Sequence, residues 1–379
     1  MSRAGRRVLV VCNDLAYLLN FRRQLIEELL ARGHAVTVAG PPGPLAAEVK
    51  ALGVDFEPWI MTKAGRNPLA EAAVFLRLLR IVRRVRPDAL FAYAIKPVIW
   101  GMLAGALGRA RRRVALITGL GYAFIEGPGL RRRLTRWAAG AAYRAAFGSA
   151  HRVVFQNGDD EAYMTSQGIL GRPAKAARVD GSGVDLEAYP ARPLPPGPPV
   201  FLMIARLLKD KGAAEFVEAA RRVRAALPEA RFVLAGGSDP NPAAVPAETV
   251  DLWRAEGVVE LPGHVADVRP LLQACSVFVL PSYREGTPRT GLEALATGRP
   301  VIVTDVPGCR EVALAGENGW LVPARDAAAL AEAMLAAASD PARLAAMGVR
   351  SRALAEARYE GRAVGRRLAD LILDEEGSG

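Results

Sequence analysis

The chain has 379 residues, 51% of them apolar and 23% charged, which excludes disordered and fibrous classes and suggests two domains at roughly 150 residues each. No apolar run reaches the roughly 18–20 residues that span a bilayer, the longest being residues 97–107. The net charge of +11 is uneven, with 28 Lys and Arg against 15 Asp and Glu in residues 1–190 and 22 against 24 in the rest.

In chain order, short β-branched or apolar runs at 8–12, 35–39, 89–93, 114–118 and 152–155 read as buried parallel strands. Helical patterns stand between them at 21–32, 69–86, 97–107 and 130–147. Residues 190–199 hold six prolines and predict a semi-rigid linker between a domain over 1–189 and one over 200–357. The second half repeats the alternation, with strands at 200–205, 232–235, 277–280, 301–304 and 320–322. Its helices are expected at 213–226, 290–296, 327–338 and 341–374, and the acidic end, 374–379, as a frayed tail. Alternation of this kind predicts α/β architecture, two Rossmann-like doubly wound domains facing across a cleft.

The five apolar residues that follow the basic start are too few for a signal peptide. Cys12, Cys275 and Cys309 have no paired spacing, which excludes a disulfide scaffold and fits a reducing cytoplasm. With His34, His151 and His264 scattered singly, a zinc site is not expected. The basic first half points to a polyanion, either nucleic acid or an anionic membrane surface, or else to Arg-rich helices solvated in the ordinary way.

Ligands of such sheets bind beyond the carboxyl ends of the strands. Arg206 and Lys211 follow the strand that opens the second domain, with Lys211 just ahead of a helix whose free N–H groups favour anions. Two cations so placed suit a diphosphate gathering charge as it leaves, although an Arg and a Lys five apart are usually surface charges. A second block follows the strand at 277–280. Its loop carries Glu285 and Gly286, and a helix expected from Thr290 carries Glu293 in its first turn. Carboxylates accept well from paired sugar hydroxyls, and the N–H groups of Thr290 and Gly291 suit phosphate oxygens. Taken singly, Glu285 reads as a turn residue and Glu293 as an acid complementing a helix dipole; their joint position favours a site.

The set Arg206…Lys211, Glu285 with seven residues before Glu293, Pro-Val-Ile-Val-Thr-Asp-Val-Pro-Gly-Cys-Arg-Glu at 300–311 and Asn318-Gly319 resembles the retaining glycosyltransferases of family 4, which have the GT-B fold. Lys96-Pro-Val-Ile-Trp-Gly, Ala-Leu-Ile-Thr-Gly-Leu-Gly-Tyr at 115–122, Phe155-Gln-Asn157 and Gly-Ser-Gly-Val-Asp at 181–185 are similar to a subgroup. That subgroup adds N-acetylhexosamine to undecaprenyl-diphosphate-linked sugars.

The resemblance implies that Arg206 and Lys211 bind the diphosphate of a UDP-sugar donor and stabilise its developing charge. It implies that Glu285 meets donor-sugar hydroxyls, that Glu293 meets the ribose, and that Gly263, His264 and Val265 border the base. Taken alone, His264 reads as a loop histidine packed on its own domain. Asn13, Arg22, Lys96, Thr118, Gly119 and Tyr122 fall on the acceptor side. No Asp-X-Asp follows a strand in a metal-binding context, so neither metal nor cofactor is implied, and the leaving phosphate oxygen takes the acceptor proton. The closing helix from about 358 is expected to return to the first domain. Two departures stand out: Thr287-Pro288-Arg289 replaces the Phe-Gly pair of many members, and Asn13-Asp14-Leu15-Ala16-Tyr17 replaces a Gly-Gly loop. Arg289 in that place suggests a reader of an acetamido or carboxylate group.

With a lipid-linked acceptor implied, the basic helices at 76–86 and 130–147 gain a partner in anionic headgroups, with Trp137 at the interface. For the first helix a core-facing stripe with a solvated basic face serves equally well. The second follows a Gly-rich segment, 119–129. No nucleic-acid module accompanies the charge. The expectation is a peripheral enzyme on the cytoplasmic face of the plasma membrane. The rivals are a nucleotide-sugar enzyme without a lipid acceptor, such as an epimerase, and a non-catalytic basic membrane or nucleic-acid binding protein.

Overall fold

A computed structural model describes residues 5–61, 68–120, 124, 130–239, 241 and 243–375. The chain divides into two compact units, Met1–Gly183 with Gly361–Gly379, and Val184–Glu360.

The first unit runs β1 (Arg7–Val11), α1 (Leu15–Ala31), β2 (Ala35–Gly40), α2 (Ala46–Ala51), β3 (Asp55–Pro58), α3 (Pro68–Val85) and β4 (Ala89–Tyr93). It continues with α4 (Ile95–Leu107), β5 (Arg112–Ile117), α5 (Leu130–Ser149), β6 (Arg152–Phe155), α6 (Gly158–Ser166) and β7 (Ala176–Arg178). All neighbours in the sheet are parallel, in the order β3-β2-β1-β4-β5-β6-β7. The central strands are buried on both faces, as a parallel sheet under two helical layers must be. Leu9, Val11, Leu90 and Ala92 meet Leu78, Val82 and Met102 on one side. Val8, Val10, Phe91 and Tyr93 meet Leu18, Leu25 and Ile26 on the other. Asp14 explains why α1 starts at Leu15 and not near residue 21: its carboxylate accepts from the N–H groups of Ala16 and Tyr17, an N-cap that the hydrophobic period does not reveal.

The second unit runs β8 (Val200–Ile204), α7 (Ala213–Ala226), β9 (Arg231–Ala235), α8 (Ala247–Glu256), β10 (Glu260–Gly263), α9 (Arg269–Ala274) and β11 (Val277–Leu280). Then come α10 (Arg289–Ala296), β12 (Val301–Thr304), β13 (Gly319–Val322), α11 (Ala327–Ser339) and α12 (Pro341–Arg358). Its parallel sheet has the order β10-β9-β8-β11-β12-β13. Phe201 and Phe232 stack 5.5 Å apart in the core shared with α7 and α11, which also holds Val279 and Ile302. Leu202, Phe278, Leu280 and Val303 pack on the opposite side with Leu292 and Leu295 of α10.

The chain passes between the units at 183/184 and 360/361, and the proline-rich residues 190–199 lie inside the second unit. The cause is Arg299, fully buried. Its Nη2 donates to the carbonyls of Arg192 at 2.8 Å and Pro193 at 2.9 Å, and its Nη1 to that of Cys275 at 3.0 Å. The Arg192 N–H donates in turn to Thr297 O. The stretch expected as a semi-rigid linker between domains is thus anchored within the second unit by one side chain about a hundred residues away in sequence, which local composition does not show.

The closing helix α13 (Gly361–Leu373) belongs to the first unit. Gly361 and Gly365 lie against Gln24, and a Cβ at 361 would stand 1.8 Å from Gln24 Oε1. Arg32 holds Asp370 at 2.6 Å. The acidic end is not frayed through its first two residues, since Asp374 pairs with Arg112 at 2.7 Å and Glu375 with Arg32 at 3.2 Å. Residues 376–379 lie outside the described residues.

Replacing Arg299 with Met leaves the buried Cys275 carbonyl and the part-buried carbonyls of Arg192 and Pro193 without their donor, so Arg299→Met is expected to lower stability by about 2–3 kcal/mol. Limited proteolysis should then cut within 190–199. Wild-type melting and an intact 190–199 segment would contradict the anchoring role.

Candidate active site

In the second sheet the connections leaving β8 and β11 run to opposite sides, so the carboxyl ends of these neighbouring strands flank a topological switch point, where parallel α/β sheets bind ligands. Residues 205–212 follow β8 and residues 281–288 follow β11. The two loops touch through backbone. Gly212 has φ +77°, and a Cβ there would lie 2.1 Å from Pro281 O, so only glycine allows this approach. The Tyr283 N–H and the Ser282 hydroxyl both donate to Asp210 O, at 2.9 and 3.1 Å.

This seam delivers Lys211 to Glu285, with Nζ–Oε1 at 2.5 Å and about five-sixths of each side chain buried. The Glu285 loop rests on a second glycine-dependent contact. Gly308 (φ +82°) sits where a Cβ would come 2.4 Å from the carbonyl oxygens of both Glu285 and Gly286, and the Glu285 N–H donates to Pro307 O at 3.0 Å. Burial opposes the charged form of Lys211, yet the charge and hydrogen bond of Glu285, with the charge of Asp210, hold its pKa above the ordinary lysine value. The ammonium is therefore fully charged at neutral pH.

Arg206 takes another partner. Its half-exposed guanidinium donates through Nη1 to Asp239 Oδ2 at 2.8 Å, in the loop after β9. The backbones of the two loops pair as well, with Leu207 N–H to Gly237 O at 3.1 Å and Lys209 N–H to Ala243 O at 2.9 Å. At the carboxyl end of β10, Gly263 O accepts from the Gly236 N–H at 2.9 Å. A Cβ at Gly237 would stand 3.2 Å from that of the exposed His264. Gly263, His264 and the half-buried Val265 thus continue the same carboxyl edge of the sheet.

Helix α10 begins at Arg289 behind Pro288, with no side-chain cap. Thr290 and Gly291 stand in its first turn, where backbone N–H groups have no intrahelical partner. Glu293 is corrected to the second turn, and it is buried, 7% exposed, not an acid on an exposed helix start. Arg289 Nε donates to its Oε1 at 2.9 Å, so Arg289 faces Glu293 and not outward. Burial pushes the Glu293 carboxyl above the usual glutamate range, and Arg289 and the Tyr189 phenol pull it part of the way back.

In the first unit the corresponding switch point lies between β1 and β4. Asn13 follows β1. Lys96 sits in the first turn of α4, just past Ala94, whose φ of +67° is unusual for a residue with a side chain. Its Nζ donates to Glu71 Oε1 at 2.7 Å. Arg22 is buried in α1 with its guanidinium over the Tyr93 ring, 5.3 Å from the centroid. Thr118 and Gly119 follow β5. Tyr122 and most of the Gly-rich 119–129 segment lie outside the described residues. No group of three or more metal-ligating side chains occurs among the described residues.

Asp239, Gly308 and Tyr189 were not singled out from the sequence. Only Gly308 leaves a local sign there, as the glycine of a Pro-Gly turn after a strand.

Residues 198–340 match the model for glycosyl transferases group 1, and residues 20–181 the model for the glycosyl transferase 4-like domain. The chain belongs to this glycosyltransferase family. It is an enzyme of glycosyl transfer, which sets aside the non-catalytic reading. Over 84% of its length it is 29% identical to the N,N'-diacetylbacillosaminyl-diphospho-undecaprenol alpha-1,3-N-acetylgalactosaminyltransferase of Campylobacter jejuni, covering 85% of that protein. It is 26% identical over 68% of its length to the putative glycosyltransferase EpsD of Bacillus subtilis, covering 69% of it. The crystal structure of Anabaena HepE in complex with UDP and glucose superimposes with a TM-score of 0.76 at 17% identity, covering 98% of this chain and 100% of that one. That likeness shows the fold, which is the GT-B fold of two parallel-sheet α/β units.

Gly308→Ala must push the Glu285 carbonyl away and is expected to cut transfer by about 10²-fold, the usual cost of displacing a site group by about 1 Å. Its melting temperature should fall by only a few degrees. Undiminished turnover would show that the Glu285 loop does not need this contact.

Proposed function

We propose that the enzyme moves an N-acetylhexosamine from a UDP donor, with retention, onto a polyprenyl-diphosphate-linked acceptor in surface-glycan assembly. The observation that carries this reading is the likeness to the Campylobacter enzyme, whose name states such a transfer and whose match extends over 84% of the chain. The structures of HepE with UDP and with UDP-glucose support a uridine donor.

In this reading Arg206 leaves Asp239 for an oxygen of the donor diphosphate, and Lys211 supplies the second positive charge. The bond from the sugar anomeric carbon to the phosphate oxygen breaks, and the electron pair leaves with UDP. The acceptor hydroxyl attacks on the same face, and its proton passes to the departing phosphate oxygen. Catalysis is then positioning plus electrostatic stabilisation, with no metal or cofactor. Glu285, held by Lys211, keeps its remaining acceptor capacity for donor-sugar hydroxyls. Gly286, Thr290 and Gly291 offer backbone N–H groups, Glu293 takes the ribose, and Gly263, His264 and Val265 border the base. Asn13, Lys96, Thr118 and Gly119 serve the acceptor. Arg22, buried under Tyr93, supports that side from within its own unit.

Peripheral attachment to the anionic cytoplasmic face of the membrane completes the proposal. No helix among the described residues is long and apolar enough to cross a membrane. On α5, Leu134 and Trp137 are 58% and 72% exposed beside Arg133, an arrangement suited to an interface. On α3 the stripe of Val74, Leu78 and Val82 is buried in the core, and its exposed arginines share the outer face with Leu76, which is 47% exposed.

Melting with UDP, GDP and ADP in turn tests the donor assignment. UDP alone should stabilise the protein, by about 2.7 kcal/mol at 100 times its dissociation constant, and Arg206→Ala should abolish the shift. UDP-N-acetylhexosamine should be consumed only with a polyprenyl-diphosphate-linked sugar present. Conversion of the UDP-sugar alone would favour the epimerase rival. For the membrane, Trp137→Ala with Arg133→Ala should reduce cosedimentation with phosphatidylglycerol vesicles several-fold, and wild-type binding should fall as salt rises. Binding equal in the variant would place the contact elsewhere.

A further inference from the structure

We infer that Arg289 and Tyr189 are positioning residues that clamp Glu293, fixing the orientation in which its carboxylate meets the donor. The inference rests on the donor-site reading above and extends it to two residues that need not touch the donor at all.

A carboxylate as buried as that of Glu293 is costly unless it is paired and hydrogen-bonded. Its main chain is fixed first. It sits in the middle of α10, and its carbonyl accepts from both the Thr297 N–H and the Thr297 hydroxyl. The side chain then receives Arg289 Nε on Oε1 at 2.9 Å, an i,i+4 pair buried on both sides, with side-chain exposures of 18% and 10%. The Tyr189 phenol lies close enough to the same carboxylate to act on its charge.

Tyr189 does not reach this place by chance of rotamer alone. Arg352, on α12, donates through one nitrogen to Tyr189 O at 2.9 Å and to Ala296 O at 2.8 Å. Its guanidinium therefore ties the backbone of Tyr189 to the end of α10, the helix that carries Glu293. The Tyr189 N–H is held by Asp185 O at 3.0 Å. Two segments outside α10, the one that carries Tyr189 and α12, thus brace the surroundings of this carboxylate, far more support than a surface helix acid needs. With Arg289 on Oε1, the orientation of the carboxylate plane is set before any ligand arrives, which is how a site avoids reorganisation on binding.

Both partners also bear on its charge. An ionised carboxylate accepts from ribose hydroxyls more strongly than the protonated acid, which keeps only part of its acceptor capacity. The groups acting on Glu293 are Arg289 of its own helix and Tyr189, and Arg269 of α9 acts on Tyr189 in turn. Because burial holds the Glu293 pKa above the ordinary glutamate value, donor affinity is present above that pKa and is lost as pH falls through it. Removing the Arg289 charge raises the pKa further, so the loss begins at a higher pH.

The test is UDP binding by calorimetry and donor KM and kcat from pH 5 to 8, for wild type, Arg289→Met, Arg289→Lys, Tyr189→Phe and Glu293→Gln. Arg289→Met should raise the UDP dissociation constant and the donor KM by about 10-fold at pH 7, leave kcat within about 2-fold, and move the acidic limb upward. Arg289→Lys should recover part of the affinity, since it keeps the charge but not the planar fork. Tyr189→Phe should move the limb in the same direction by less. If Glu293→Gln loses UDP binding while Arg289→Met and Tyr189→Phe keep the wild-type constant and limb, Glu293 reads the donor unaided and the clamp is wrong. If Glu293→Gln binds UDP like wild type, the donor reading of Glu293 itself fails and the clamp with it. Should Arg289→Met not fold, Arg289→Lys and Tyr189→Phe decide by the same limb and KM criteria.

Discussion

In a parallel sheet every connection must cross back over a face, and right-handed crossovers oblige the strand order to reverse somewhere. In the second unit that reversal falls between β8 and β11, and much of the local chemistry follows from it. Two loops that leave adjacent strands in opposite directions can approach only if their backbones nearly touch. Gly212 against Pro281 is that approach, and Gly308, in the loop after β12, supports the Glu285 loop from the other side, each at a positive φ with no room for a side chain. Lys211 and Glu285 are the side chains so brought together, and their pairing offsets the cost of burying either charge alone. Remove the glycines and the pair has no frame; remove either partner and the other is left as a buried charge without its counter-ion.

The first unit repeats the construction with different contents. Its reversal, between β1 and β4, presents Asn13 and Lys96, with Lys96 held by Glu71 past the unusual backbone of Ala94. The charge of the chain follows the same division. Basic side chains dominate the half that contains this unit, whereas the second half is nearly balanced. A unit that handles a nucleotide diphosphate needs two or three well-placed cations. A unit that works at an anionic surface draws on many, placed loosely, because attraction to headgroups adds over the surface within a Debye length.

Much of this was legible in the sequence, for identifiable reasons. Strands such as 277–280 and 301–304 are β-branched runs bounded by turn residues, and their boundaries agree with β11 and β12. Helix α7 begins at the residue its pattern indicates, because Gly212 marks the start. Other elements were not legible: β3, β7 and β10 read Asp-Phe-Glu-Pro, Ala-Ala-Arg and Glu-Leu-Pro-Gly, with no β-branched apolar run to mark them, and α2 and α9 have six residues, too few for a helical period to emerge. In the site, Arg206, Lys211, Glu285 and Glu293 were visible as chemistry at strand ends. Their partners were not. Asp239 is 33 residues from Arg206, and Tyr189 is about a hundred residues from Glu293, its backbone tied to the end of α10 by Arg352 of α12. The i,i+4 spacing of Arg289 and Glu293 was present in the sequence, and it signals a pair once the helix is known to begin at 289 and not 290. The proline-rich stretch misled for the opposite reason, since composition describes the segment but not the buried Arg299 that seizes it.

The central claim is that the carboxyl edge shared by β8 and β11 is where a nucleotide-sugar binds. Hydrogen exchange followed by mass spectrometry, with and without UDP-N-acetylglucosamine, tests it most directly. The account predicts slowed exchange concentrated in residues 205–212 and 282–293, with little change in the core strands, whose amides already exchange slowly. Protection elsewhere in the second unit, or none at saturating nucleotide-sugar, would contradict it.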